Sequence, residues 1–190
     1  MGMALGVAAC GLAGCGDSEL SAEELEDRVG EFSDASDRVD ALDRTSSAVV
    51  EATPGAATYQ GYTGLGNPDQ GQSDVALVGE TTLRVDFGAD TISGRADDFI
   101  GTVDGGRTQE YDGSLVLSDG RLGVLTANSI SAGMSGTLTG DGNTVELVDA
   151  DLLGQFVGRS AQGLEMVDPD AVVRVNGDRE DVSVAVIGER

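Results

Sequence analysis

The segment whose residue types and order most clearly specify a chemistry is Leu12-Ala13-Gly14-Cys15, which closes a short apolar run beginning at Met3. A thiol preceded by two small side chains and a leucine has the form of a bacterial lipoprotein cleavage box. The thiol takes a diacylglycerol, the small residues enter a peptidase groove, and cleavage leaves Cys15 as an acylated N-terminus. The run is too short to cross a bilayer, which takes about 20 residues, and it fits a processing signal. Val7-Ala8-Ala9-Cys10 is a second, weaker box, because only Cys15 is followed at once by a polar, acidic stretch. No Lys or Arg stands within residues 1–15, so the positive charge that usually opens a signal is missing.

The remaining chemistry is narrow. Cys10 and Cys15 are the only cysteines and there is no histidine. The body after Cys15 therefore has no thiol for nucleophilic, redox or zinc-thiolate chemistry. A Ser-His-Asp triad and a histidine-ligated metal are equally excluded. Ser129, Ser131 and Ser135 have no base to activate them. Asp149 and Asp151, two apart, would share one strand face as a carboxylate pair, but 34 acidic residues make such pairs expected by chance. Asp97-Asp98, Asp104 and Asp141-Gly142-Asn143 offer oxygen atoms to a cation without the spacing of a calcium loop. Gly64-x-Gly66 lacks the strand-to-helix setting of a phosphate loop. The residues point away from an enzyme and require no cofactor or metal. With 11 basic residues against the 34 acidic ones, the formal net charge of -23 repels nucleic acid and anionic lipid headgroups.

The 190 residues divide by pattern into a signal (1–14), an acidic helical leader or tether (15–53) and a β domain (54–190). Ser21-Ala22-Glu23-Glu24 has the spacing of a helix capping box. Leu25, Val29, Phe32, Val39 and Leu42 then form a narrow apolar stripe on a helix reaching about Arg44, read as a leader helix lying on the domain or a solvated spacer, with the spacer favoured over a short coiled coil. From Pro54 the period becomes two. Alternation predicts strands over Ala57–Thr63, Val75–Phe87, Thr91–Ile100, Tyr111–Leu117, Leu122–Ala127, Met134–Thr139, Thr144–Leu152, Val172–Val175 and Val182–Ile187. Turns fall at Asn67–Gly71, Gly88–Asp90, Ser118–Gly120, Gly140–Asn143 and Asn176–Asp178. About eight strands in hairpin order, each with one apolar face, are best buried as an all-β, antiparallel, up-and-down barrel of eight strands.

Several segments carry a resemblance. Gly55-Ala56-Ala57-Thr58-Tyr59-Gln60-Gly61-Tyr62, the hairpin Leu83–Gly94, and Gly154-Gln155-Phe156-Val157-Gly158 with Ala161 resemble, in order and spacing, strands of the small barrel in transferrin-binding protein B-like, Slam-dependent surface lipoproteins. The ending Val186–Arg190 is similar to that family's last strand, with Ile187 where phenylalanine is common. The resemblance spans roughly residues 54–190. It implies an eight-stranded barrel, display at the bacterial outer membrane, and ligand contacts made by variable loops. Transferrin binding itself is not implied, because the chain has neither long loops nor a second barrel. Tyr59, Phe87 and Phe156 are expected to fill the barrel, and Tyr59 and Tyr62 to point to opposite faces.

The expected function is that of a non-enzymatic binding module. It would be anchored to the membrane through lipid on Cys15, at the cell surface or the periplasmic face, with a protein or small ligand as partner. The alternatives are a structural, envelope-associated periplasmic lipoprotein and a carrier of a small ligand. The apolar content that would fill the barrel solidly ranks the carrier lower.

Overall fold

The computed structural model describes residues 22–66 and 75–190. The Cys10 and Cys15 boxes, Ser21 of the capping box and the Asn67–Gly71 turn lie outside the described residues.

Two helices precede eight strands: α1 (Ala22–Asp40), α2 (Ser47–Ala52), β1 (Ala56–Gly66), β2 (Val75–Asp86), β3 (Thr91–Val103), β4 (Gln109–Leu122), β5 (Ser129–Gly140), β6 (Asn143–Val157), β7 (Gly163–Val175) and β8 (Asp178–Glu189). Each strand pairs antiparallel with the next, and β1 closes the sheet on β8 from Gln60↔Glu189 to Leu65↔Val184. The all-β, up-and-down barrel read from the sequence is the architecture that forms. Alternation explains it: Leu83 and Val85 are buried while Arg84 is exposed, so one face of β2 lines the interior. Every pairing from β2–β3 through β7–β8 carries a register shift. Such bulges bend and twist strands, which a tightly curled sheet needs.

Two expectations are corrected here. Ser118-Asp119-Gly120 is not a turn: β4 runs through it as a bulge, with Asp119 at φ 52° and the register to β5 shifting between Ser118 and Arg121. An Asp-Gly pair suits either feature, because both accept left-handed backbone. Leu122–Ala127 is therefore not a strand, and the β4–β5 connection lies at 123–128. Conversely, β7 begins at Gly163, nine residues before the segment read from the sequence. Asp168-Pro169-Asp170 hides its first half, and the register shift between Asp168 and Ala171 accommodates the proline.

The leader lies along the barrel instead of reaching away from it. Ala35 and Val39 of α1 are buried against Val157 and Ile187, with Phe32, Leu42 and Tyr62 packed around them. Gly64 makes room: a Cβ there would sit 3.2 Å from the Phe32 ring. Gly66, at φ +95°, has Val75 O 1.8 Å from where its Cβ would be. Close approach thus accounts for both glycines of Gly64-x-Gly66. Arg38 makes a two-pronged bond to the Glu189 carboxylate, at 3.1 Å and 2.7 Å. Beyond α1 the chain pairs Arg44 with Val157, and α2 delivers Val50 into the barrel core. The start of α1 lies beside Ala76 and Glu110, near the beginnings of β2 and β4. Its end lies near Val157 and Gly163, at the β6–β7 connection. The helix therefore spans the barrel from one rim to the other.

Candidate functional site

The interior is packed mainly with apolar side chains. Tyr59, Phe99 and Phe156 are the largest fully buried side chains, surrounded by Leu65, Leu77, Leu83, Leu115 and Met134. At the rim where β1 begins, Tyr59, Phe87 and Phe156 form an aromatic cluster, with the Phe156 ring centre 6.2 Å from Tyr59 and 5.5 Å from Phe87. The Tyr59 hydroxyl donates to Ala161 O at 2.7 Å, which satisfies the one polar atom the ring carries inward. Burial pushes the Tyr59 phenol up to about 12, against a smaller downward pull from the Arg190 guanidinium. That guanidinium lies 5.5 Å from the Tyr59 ring centre and 5.6 Å from that of Phe87, a cation–π lid over the cluster. Around it the backbone of β6 is clasped from two sides. Thr45 N donates to Phe156 O at 3.0 Å, and Phe156 N donates to the buried Asn128 Oδ1 at 2.9 Å. With Val50 seated in the core, this rim is plugged.

The plugged rim also carries a conspicuous apolar display. The β4–β5 loop presents Val124 and Leu125, which are 52% and 80% exposed. The loop is held in shape by one side chain. Ser129 Oγ accepts from Leu125 N at 2.8 Å and Thr126 N at 3.1 Å, and donates to Thr126 O at 2.7 Å. Ser129, considered as a nucleophile from the sequence, is fully engaged as a loop brace. The loop abuts the β2–β3 turn, where Leu122 N donates to Asp90 O at 3.0 Å.

Two of the clefts that α1 borders on the outer wall differ sharply in character. One, of about 470 Å³, is acidic: Glu24, Asp27 and Glu31 on the helix face Glu80, Asp98, Glu110 and Asp112 on the barrel. Arg28 reaches across it to Glu80 at 3.4 Å and to Asp98 O at 3.3 Å. The other, of about 590 Å³, is apolar, between Leu25, Val29 and Phe32 of the helix and Ala76–Val78 of β2. Tyr62 points outward beneath the helix, opposite to Tyr59, and its hydroxyl donates to Glu31 Oε2 at 3.2 Å. Burial and the Glu31 charge both raise the Tyr62 pKa.

The acidic candidates do not converge. Among the described residues no group of three or more Asp or Glu side chains could hold a metal ion. Asp98 and Asp104 sit at positive φ as backbone-shaping residues, and Asp97 pairs with Arg95. Asp149 and Asp151 are both exposed, flanking the buried Ala150 beside a bulge, and Asp151 N donates to Asp168 Oδ2 at 2.8 Å. Sequence reasoning missed the Arg190 lid and the Asn128 and Ser129 braces. The docking of α1, one of the two readings of the leader, has a further signal in Gly61-Tyr62-Thr63-Gly64, where glycine interrupts an outward strand face opposite a helix with an apolar stripe.

Against known proteins, no family model and no curated protein matches this sequence.

Proposed function

We propose that this is a non-enzymatic, lipid-anchored binding module of the bacterial outer membrane, which engages a protein partner through the loops at its plugged rim. The observation that carries this reading is the β4–β5 loop, where two apolar side chains stand exposed on a backbone fixed by Ser129. Exposed apolar side chains on a pre-shaped loop lose little conformational freedom on binding, the property that makes a contact efficient.

The position of the anchor supports the same reading. With lipid on Cys15 the anchor would enter the described chain at the start of α1, which lies at the rim opposite the plug, leaving Leu125 on the far rim. The strongly acidic surface suppresses contact with nucleic acid and anionic lipid, leaving the apolar loop as the adhesive element. The likeness of the strand signatures to transferrin-binding protein B-like surface lipoproteins supports display at the cell surface. A cofactor is not part of the reading.

The test is a capture experiment with the acyl-free protein, immobilised and exposed to envelope and external extracts. It is run beside a Val124→Ser/Leu125→Ser variant of equal melting temperature. A partner retained by the parent and lost by the variant supports the loop. A partner retained equally by both overturns it. Mass spectrometry of the mature N-terminus and protease treatment of intact cells test the anchor and the exposure separately.

A further inference from the structure

Two of the eight strands, β1 and β5, contain no charged residue, whereas each of the other six carries at least three. For β1 the reason is visible. Phe32 of α1 packs over Gly64, the Tyr62 hydroxyl donates to Glu31 at 3.2 Å, and the outer face of the strand lies beneath the helix. A charge buried there without a partner would be costly. β5 stands four strands from β1 in either direction round the closed sheet, and its outward Ser135, Thr137 and Thr139 are exposed. On neighbouring β4 the uncharged face continues: Ser114 stands opposite Thr137, Val116 opposite Ser135 and Ser118 opposite Gly133. Val116 is 50% exposed and lies between Ser135 and Arg95, so no apolar cross-strand pair accounts for it. Charge returns only at the margins, as Asp112, Asp119 and Arg121 on β4 and Glu146, Asp149 and Asp151 on β6. Protein interfaces have this layout, with charge depleted at the centre and kept at the rim.

We propose that the β4–β5 wall is a contact between two copies of this chain, related by a two-fold axis. With a net charge of -23 on each copy, most approaches set like charges against one another. The uncharged wall is the face on which that repulsion is least. A hydroxyl both donates and accepts a hydrogen bond, so Ser114, Ser118, Ser131, Ser135 and Thr137 make a surface complementary to itself. An isologous interface requires that self-complementarity, and Val116 of each copy adds an apolar contact. From strand spacing and rise, a footprint about four strands wide and nine residues long measures roughly 19 Å by 30 Å. That is on the order of 570 Å² per copy, below the ~800 Å² of a standard interface and in the range of transient complexes. The dimer is therefore weak, with a dissociation constant of about 10 μM to 1 mM. It is independent of the lipid anchor and of the loop's partner.

Sedimentation velocity of the full chain tests it, with Cys10→Ser and Cys15→Ser introduced so that neither acyl chains nor disulfides join copies. The expected result is a reversible monomer–dimer equilibrium, resolved at protein concentrations up to about 1 mM. Raising NaCl from about 0.01 M to about 1 M tightens it, because salt screens the acidic margins of the two copies from each other. Ser135→Asp weakens association at least about tenfold, since it sets a carboxylate at the centre against its own copy. Thr82→Asp, which adds the same charge on β2 beside α1, leaves the equilibrium unchanged, as does Leu125→Ser on the loop. Thr137→Asp repeats the test should Ser135→Asp melt early. A monomer at every concentration and salt overturns the proposal. So does association that both wall variants leave intact, or that Leu125→Ser abolishes, which would assign it to the loop. A monomer whose capture of a partner is lost in Ser135→Asp gives the wall to that partner and overturns the dimer equally.

Discussion

Replacing Phe156 with Ala tests whether the plugged rim is a true extension of the core. The ring is fully buried, touches Tyr59 and Phe87, and is clasped at its backbone by Thr45 and Asn128. Those clasps hold β6 in place, so the site cannot readily collapse around a smaller side chain. Returning the ring to water costs about 2 kcal/mol, and a residual cavity of roughly 80 Å³ adds about 2 kcal/mol at 24 cal/mol per Å³. The expected loss is therefore about 4 kcal/mol, a large share of the roughly 5–15 kcal/mol that holds a domain together. Phe87, 8% exposed under the Arg190 lid, should lose less on the same change, about 2–3 kcal/mol. The pair should couple by about 0.5–1.5 kcal/mol in a double-mutant cycle. Urea unfolding followed by circular dichroism reads these values, with the slope unchanged if only the native state is affected. A loss below about 1 kcal/mol for Phe156→Ala would mean that the rim rearranges freely, and the argument for a rigid plug would fail.

Three further outcomes are expected. The Tyr59 phenol is raised to about 12 in the fold from an ordinary value near 10, so the fold favours its neutral form. Its contribution is complete below pH 10 and is lost as pH rises through 12. The loss amounts to about 3 kcal/mol at most, read as a falling urea midpoint that Tyr59→Phe reduces, with the remainder left to Tyr62 and Tyr111, whose pKa values the fold also raises. Deleting residues up to Thr53 strips Ala35 and Val39 from the wall and Val50 from the core. The barrel should keep a β-type spectrum but lose about 3 kcal/mol or more, and an unchanged midpoint would show the docking to be inconsequential. Finally, with a net charge of -23, the melting temperature should rise by several degrees between 0.01 M and 1 M NaCl. Over that range the screening length falls from about 30 Å to about 3 Å, and a flat response would mean that the surface charges are already neutralised.

The barrel was legible because period-two burial leaves its mark locally. Leu83, Val85 and Phe87 alternate with Arg84 and Asp86, and parity alone separated Tyr59 from Tyr62. What stayed hidden depends on contacts between distant residues. The leader suits a docked helix or a solvated spacer alike because its apolar stripe is narrow, and the partners that decide for docking, Val157 and Ile187, lie over a hundred residues away. Asp119-Gly120 specifies left-handed backbone without saying whether the chain reverses or bulges; the pairing of Arg121 with Ser131 decides that. The Tyr59 hydroxyl bond to Ala161 and the Arg190 lid join residues with no shared local pattern. The candidate binding loop was misread as a strand, since Leu122–Ala127 contains the same Leu and Val residues that a strand would.

Exposed apolar side chains also occur on the barrel wall, and the difference between them and the loop decides which is the binding feature. Leu153 and Val167, 54% and 48% exposed, face each other across β6 and β7. A cross-strand pair of this kind stabilises a sheet by about 0.2–1 kcal/mol, and β-branched residues favour strands besides. Folding alone accounts for their presence. Val124 and Leu125 lie in no strand and have no cross-strand neighbour, and the loop's shape is set by Ser129 through backbone amides that any residue would supply. Folding gives no reason for leucine at an 80% exposed position. The two sites should therefore respond in opposite ways. Val167→Ser should lower stability by about 0.5–1 kcal/mol and leave partner capture intact. Leu125→Ser should leave stability within about 0.5 kcal/mol of the parent and abolish capture. The reverse pattern would move the binding face from the rim to the wall.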